Sequence, residues 1–249
     1  MAIWAVSDLH LSFGVANKTM SVFGSEWENH TEKIASSWNN AISSEDLVLI
    51  PGDISWAMRL EEVIPDLEWI DALPGLKVIL RGNHDYWWAS QRKMEAILPP
   101  SVHFIHNNVF NWKGISIGGS RLWDTEEYHF NDQIIWKDFG NVCRFEEKED
   151  KASSQKIFKR ELERLHLSLR SLDVKSETRI ALTHYPPIGS DLQDSEASSI
   201  LEKYHIDICV FGHLHSVKPE SLPFGKKNGI RYILTSCDYL NFHPVKILD

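Results

Sequence analysis

The sequence predicts an α/β fold, on three observations. Short apolar runs rich in Val, Ile and Leu recur along the chain and suit strands buried on both faces. Amphipathic helical patterns lie between them. Five of the runs stop abruptly at Asp, Asn or His, as strands do when they deliver polar groups to one edge of a sheet. The 249 residues are 43% hydrophobic and 24% charged, an ordinary globular composition without repeats or Pro/Gly/Ser linkers. Residues 1–249 therefore read as a single domain.

The first strand is 2–7 (AIWAVS), which runs into Asp8. A helix is predicted over 26–42, where Trp27, Ile34, Trp38, Ala41 and Ile42 recur at mostly helical spacing. Leu47–Pro51 (LVLIP) is a strand running into Gly52-Asp53, and 77–81 (KVILR) is one running into Gly82-Asn83-His84-Asp85. A helix over 88–98 and a strand over 115–117 follow. The stretch 120–150 is polar and aromatic without periodicity and reads as a long insertion, of the kind that carries function. A helix over 152–172 sets Ile157, Leu162, Leu165 and Leu169 among many charges. Strand 179–183 runs into His184, and 206–211 runs into Gly212-His213-Leu214-His215. Ile230–Leu234 and Val245–Leu248 are the last strands.

Charge and cysteine usage narrow the function. The formal net charge is −9, from 35 acids and 26 bases, which argues against a non-specific nucleic-acid or anionic-membrane partner. Cys143, Cys209 and Cys237 are odd in number and form no CxxC, against both a disulfide framework and a thiolate zinc site. No apolar run approaches the ~18 residues of a membrane span. The amino-terminal segment has no basic region of a signal peptide. A reducing cytoplasm is the expected location.

The strand ends share one chemistry. Together they offer Asp8, His10, Asp53, Asn83, His84, His184, His213 and His215. Carboxylates, imidazoles and an amide oxygen without thiolate point to a first-row divalent metal such as Mn, Fe or Zn. The set is too large for one ion with its usual three or four protein ligands, and two ions sharing a carboxylate use it better. In Asp8-Leu9-His10 and His213-Leu214-His215 the paired groups are spaced i,i+2, which on an extended segment puts them on one face. Gly52, Gly82 and Gly212 suit sharp turns and close backbone approach. Any one of these motifs alone is better read as a cap or a turn. All five in this order are not.

These blocks resemble the signature of the calcineurin-like metallophosphoesterases, DxH…GD…GNH(D/E)…H…GHxH, across about residues 1–248. The resemblance implies a four-layer α/β/β/α sandwich. It implies one metal held by Asp8, His10, Asp53 and His215, and a second held by Asp53, Asn83, His184 and His213, with Asp53 bridging. It further implies a phosphoesterase in which a metal-bound hydroxide attacks phosphorus directly, the two cations about 3.5–4 Å apart. His84 adjoins a ligand without being one, and is similar to the residue that protonates the leaving-group oxygen. Asp85 is a candidate to orient His84 or to cap the next helix. The chain departs from the protein Ser/Thr phosphatases, which read GDxVDRG. Trp56 stands where their second Asp would pair with the catalytic His.

Aromatic residues crowd the same loops. Trp56, Trp123 and Tyr185 are candidates for a substrate-binding rim, with Arg121 and Asp124 flanking Trp123 to read phosphate and hydroxyl groups. Trp87 and Trp88 read as packing residues. The expected substrate is a small phosphomonoester or phosphodiester. A nuclease similar to Mre11/SbcD, which shares GNHD, and a non-catalytic scaffold on the same fold are the alternatives.

Overall fold

The computed structural model describes residues 1–135, 151–218, 221 and 224–249. The first half of the chain alternates strands and helices: β1 (Ile3–Ala5), α1 (His30–Ala41), β2 (Leu47–Pro51), α2 (Leu60–Ala72), β3 (Leu76–Leu80), α3 (Gln91–Ile97) and β4 (Val102–Ile105). The second half runs β5 (Val109–Trp112), β6 (Ile115–Ser120), α4 (Lys151–Leu169), β7 (Thr178–Thr183), α5 (Glu196–Lys203), β8 (Ile208–Phe211), β9 (Lys226–Lys227), β10 (Ile230–Leu234) and β11 (Val245–Leu248). One sheet has the order β11-β1-β2-β3-β4 and the other β5-β6-β7-β8-β10-β9. Strands β1 to β4 pair in parallel, as do β6, β7, β8 and β10. The remaining edge pairings, β11 on β1, β5 on β6 and β9 on β10, are antiparallel.

Strand alternation builds the layers. On β2, Leu47 and Leu49 face a core shared with Val78 and Leu80 of β3 and with Ile117, Ile180, Leu182 and Val210 of the other sheet. Val48 and Ile50 point the opposite way, onto Ile34 and Trp38 of α1 and Val63, Leu67 and Ile70 of α2. The second sheet is covered on its outer side by Phe158, Leu162, Leu165 and Leu169 of α4 and by Ala197, Ile200 and Leu201 of α5. The result is the α/β/β/α sandwich that the resemblance implied. Parallel strands with both faces covered explain the continuous apolar runs.

Several element boundaries differ from expectation. Trp27 lies in a single 3-10 turn, Ser25–Trp27, and α1 begins only at His30. Trp88 precedes α3, which starts at Gln91. β3 ends at Leu80, leaving Arg81 just outside the sheet, and β8 starts at Ile208. Helices α2 and α5 and strands β4, β5 and β9 were not expected. In α2, Pro65 interrupts the helical signal, while Glu62 accepts the Met58 and Arg59 backbone N–H groups at 2.8 and 3.1 Å to secure the start. α5 is short and is capped by the Ser195 hydroxyl, which accepts the Ser198 N–H at 2.9 Å. Within the expected insertion, residues 121–135 hold an isolated bridge from Ile134 to Val217 and otherwise no helix or strand. The rest of it, with Cys143, lies outside the described residues. Cys209 and Cys237 are buried free thiols. No described helix is long and apolar enough to cross a membrane.

Candidate metal centre

Each candidate ligand follows the carboxyl end of a parallel strand. The first sheet contributes Asp8 and His10 after β1, Asp53 after β2, and Asn83 and His84 after β3. The second contributes His184 after β7 and His213 and His215 after β8. The structure brings all eight together at one edge. His184 Nε2 lies 3.5 Å from Asp53 Oδ2 and 2.7 Å from Asn83 Oδ1, and His213 Nδ1 lies 3.2 Å from the same amide oxygen. On the other side of Asp53, His10 Nε2 lies 3.8 Å from its Oδ2 and 3.3 Å from His215 Nε2. His215 Nε2 is in turn 3.7 Å from Asp8 Oδ1. Asp53 is therefore adjacent to imidazoles of both groups, and Asp8 also belongs with both. The donor atoms of Asp8, His10 and His215, and separately those of Asp8, Asp53 and His184, lie within 4.8 Å of one another.

The local backbone is not extended, as the i,i+2 argument assumed. Asp8 (φ 58°), His10 (φ 46°), Asp53 (φ 51°) and His213 (φ 73°) all adopt the left-handed conformation. Such residues cost on the order of 1–3 kcal/mol each and persist where the surroundings over-determine them. Here the loops brace one another: Asp8 N–H donates to Gly52 O at 3.0 Å, His10 N–H to Asp53 O at 3.1 Å and Leu11 N–H to Ile54 O at 2.9 Å. Asp66 of α2 accepts from Phe13 N–H at 2.8 Å and from the Ser55 hydroxyl, pinning both loops to the helix. Two of the motif glycines make room for ligand oxygens. A Cβ on Gly82 would sit 2.1 Å from Asp53 Oδ1, and one on Gly212 would sit 2.2 Å from Asp8 Oδ2.

The donor set suits cations. His215 Nδ1 pairs with Asp238 Oδ1 at 2.9 Å and His184 Nδ1 with Pro51 O at 3.0 Å, so in the neutral imidazoles both Nε2 lone pairs face the centre. His10 Nδ1 is buried with no hydrogen-bond partner among the described residues. Burial raises the Asp8 carboxyl above its ordinary range. For Asp53 burial acts the same way, but His184 and its other imidazole neighbours outweigh it and hold the carboxyl well below that range. Burial opposes charge on His215, yet Asp238 and Asp8 prevail and lift it to about 9. Two fully buried carboxylates ringed by imidazole nitrogens make a donor set that suits divalent ions.

Around this cluster, His84 is partly open, its side chain 27% exposed, with Nε2 4.0 Å from Asp53 Oδ2. Trp56 stacks on His10 with ring centres 5.0 Å apart and contacts His84 at 4.6 Å, so it forms one wall of the opening. Tyr185 is buried rather than on a rim: its ring lies 3.9 Å from that of His213. Trp123 packs against Tyr185 at 5.0 Å, and Arg121 lies over Trp123 at 4.4 Å. The Arg121 guanidinium is buried beside Glu161, at 3.7 Å. Asp124 lines a different surface pocket, with Lys151 and Lys159. Trp87 and Trp88 are buried in the core.

Asp85 does not cap the next helix. Its carboxylate accepts from the N–H groups of Ile54 (2.9 Å), Ser55 (3.1 Å) and Gly82 (2.7 Å) and from Trp87 Nε1 (3.0 Å), clamping the Asp53 loop to the Asn83 loop. Ser90, not Asp85, precedes α3. Asp238 was missed. It follows β10, and besides His215 it holds the Ser216 N–H at 2.8 Å. The polar break after Ile230–Leu234 was the signal available for it.

The calcineurin-like phosphoesterase family profile matches residues 1–217. The gene 66 protein of Mycobacterium phage L5 is 33% identical over 84 residues, covering 33% of this chain and 39% of that protein. Its counterpart in Mycobacterium phage D29 is 31% identical over 83 residues, covering 33% and 40%. The match thus spans about two fifths of the length of these curated relatives. The crystal structure of phosphopantetheinyl hydrolase (PptH) from Mycobacterium tuberculosis superposes with a TM-score of 0.53 at 14% identity, covering 99% of this chain and 95% of the other, a likeness of fold. With the family profile spanning most of the chain and every block of its motif set meeting at one sheet edge, the chain belongs to the calcineurin-like phosphoesterase family.

Proposed function

We propose that the protein is a metal-dependent phosphoesterase acting on a small phosphomonoester or phosphodiester. The observation that carries this reading is the convergence of seven ligand-type side chains, Asp53 among them, with His84 beside them on the open side. Asp8, His10, Asp53 and His215 would hold one divalent cation, and Asp53, Asn83, His184 and His213 the other. When bound, such ions clamp phosphoryl oxygens and lower the pKa of a coordinated water to near neutrality.

The chain's own groups do the rest. Asp238 and Pro51 O keep His215 and His184 turned so that Nε2 faces inward. His84, partly exposed and outside the proposed ligand set, donates a proton to the departing alkoxide oxygen. The Trp56 ring limits how far His84 can swing and covers one side of the substrate. Mn, Fe and Zn all suit the mixed imidazole and carboxylate set.

The small-substrate reading rests on the net charge of −9 and on a site walled by an aromatic ring. Its test is a screen of anaerobically purified protein against nitrophenyl mono- and diesters, cyclic nucleotides and labelled DNA, with metal analysis alongside. The expected outcome is two metals per chain and metal-dependent turnover of a small ester that survives high salt, because few phosphates are contacted. Steeply salt-sensitive DNA cleavage with negligible small-ester turnover would establish the nuclease instead. Metal-loaded protein inert on every substrate would support the scaffold.

A further inference from the structure

A pocket beside the metal centre is lined by residues from the ends of β3 and β6, strands of different sheets. Arg81 and Arg121 enter it from these strand ends, His106 from the end of β4, and Glu161 and Arg164 from α4. None of the metal ligands lines it. Glu161 is buried, and its Oε1 is approached by Arg164 at 2.7 Å, Arg160 at 3.6 Å and Arg121 at 3.7 Å. One carboxylate oxygen thus already serves three guanidinium groups.

Arg81 adds a fourth. The acids that act on it electrostatically are Asp85 and Glu161, and Asp85 is engaged by four N–H groups. Among the described residues, the Nε atoms of Arg81 and Arg121 are both buried without a hydrogen-bond partner, although Arg121 is only 9% exposed. A buried guanidinium N–H left unpaired is costly, and native structures pair such groups. His106 contributes a further donor. Its Nδ1 accepts the Trp88 Nε1–H at 3.3 Å, so the proton of the neutral ring is on Nε2. The pocket therefore has unspent donors and an excess of positive charge.

We propose that this pocket binds a phosphate group. Guanidinium forks match the oxygens of a tetrahedral oxyanion, and charge-assisted hydrogen bonds to it would engage the unpaired donors. The site is wired to the metal centre: Arg121 O accepts the N–H groups of His184 (3.1 Å) and Tyr185 (2.9 Å), and Arg81 is followed directly by Gly82 and Asn83. The phosphate is either a second phosphate on the substrate or free inorganic phosphate. Only that choice of source rests on the phosphoesterase reading.

The test uses the full chain stripped of metal and kept in excess chelator, so that phosphate binding at the ligand cluster is suppressed. Inorganic phosphate is titrated by calorimetry and by thermal melting. Saturable binding of one phosphate per chain, with a rise in Tm, is expected. Arg81→Gln should weaken it by about tenfold or more, while melting no lower than wild type without phosphate, since it relieves repulsion. Arg164→Gln, at a partly exposed position, is the second variant. No saturable binding to wild type, or unchanged affinity in both variants, overturns the proposal. Turnover then identifies the source. A substrate phosphate predicts that Arg81→Gln raises KM for a bisphosphorylated ester and not for a nitrophenyl monoester. Free phosphate predicts a change in monoester turnover on adding phosphate to wild type that Arg81→Gln abolishes. Failure to turn over any ester would sink the functional reading and leave the binding result intact.

Discussion

At the scale of single residues, the proposed roles of proton donor and metal ligand can be separated by position. His84 stands beside the ligand cluster with its side chain partly open, so His84→Ala should retain both metals and lower kcat by roughly 10²–10⁴ on esters with poor leaving groups. The loss should be much smaller for a nitrophenolate, which departs without a proton. Metal analysis together with kcat on the two ester types checks this, and loss of metal would reassign His84 to structural support. Asp238 acts through His215, which it holds at 2.9 Å. Asp238→Asn keeps the shape and removes the charge, so metal affinity at that position should fall by about 10–100-fold. Chelator competition measures it, with the His184 side of the site as the internal reference. Equal weakening of both metals would count against the assignment.

At the scale of elements, the strand-end loops are packed backbone against ligand. A methyl group at Gly82 would meet both Asp53 Oδ1 and the Asp53 backbone N, at 2.1 and 2.2 Å, and neither can yield without moving the Asp53 carboxylate. Gly82→Ala should therefore lower metal content at both positions and lower Tm; a fully loaded variant of wild-type Tm would refute this packing argument. Behind the same strand, Lys77 is buried and reaches the Asp71 carbonyl at 3.2 Å, the Leu73 carbonyl, and the Ser101 hydroxyl at 3.1 Å. Burial pushes its ammonium down from 10.5 to about 8, partly offset by Asp71. Between these values the unfolded chain holds a proton that the folded chain has released. Lys77 should therefore make the fold more stable as pH rises from about 8 to about 10.5. Denaturant unfolding of wild type and Lys77→Met across that window isolates the contribution, which the variant should lack.

At the scale of the whole molecule, the site is a seam. Asp8, His10, Asp53 and Asn83 come from one sheet and His184, His213 and His215 from the other. Ions bound among them would tie the two sheets together at one edge and stabilise the fold by mass action. Removing metal with a chelator should lower Tm by about 5–10 °C, as expected for ~2.7 kcal/mol in a domain of this size, and adding metal back should restore it. Calorimetric scans that coincide with and without chelator would show that the ions contribute nothing to the fold.

The sequence by itself determined the class of the fold and the chemistry of the site. A buried parallel strand must be apolar throughout, and a polar break after it is visible as Gly52-Asp53 or Gly212-His213 without any knowledge of neighbours. Resemblance extended this to the ligand assignment. Tertiary structure alone decided the rest, because it depends on groups far apart in the chain. Asp238 matters only because β10 lies parallel to β8 and brings it to His215. Asp85 clamps two loops that meet only when β2 and β3 pair. The left-handed turns at Asp8 and His10 are held by carbonyls from the β2 loop, so no local spacing rule could have shown them. Helix α2 hid behind Pro65, whose missing N–H is outweighed by burying Val63, Leu67 and Ile70 against the sheet. Tyr185, expected at an open rim, and Arg121, expected to read phosphate beside Trp123, are buried. Exposure is set by which sheets and helices come together, a property that no single segment carries.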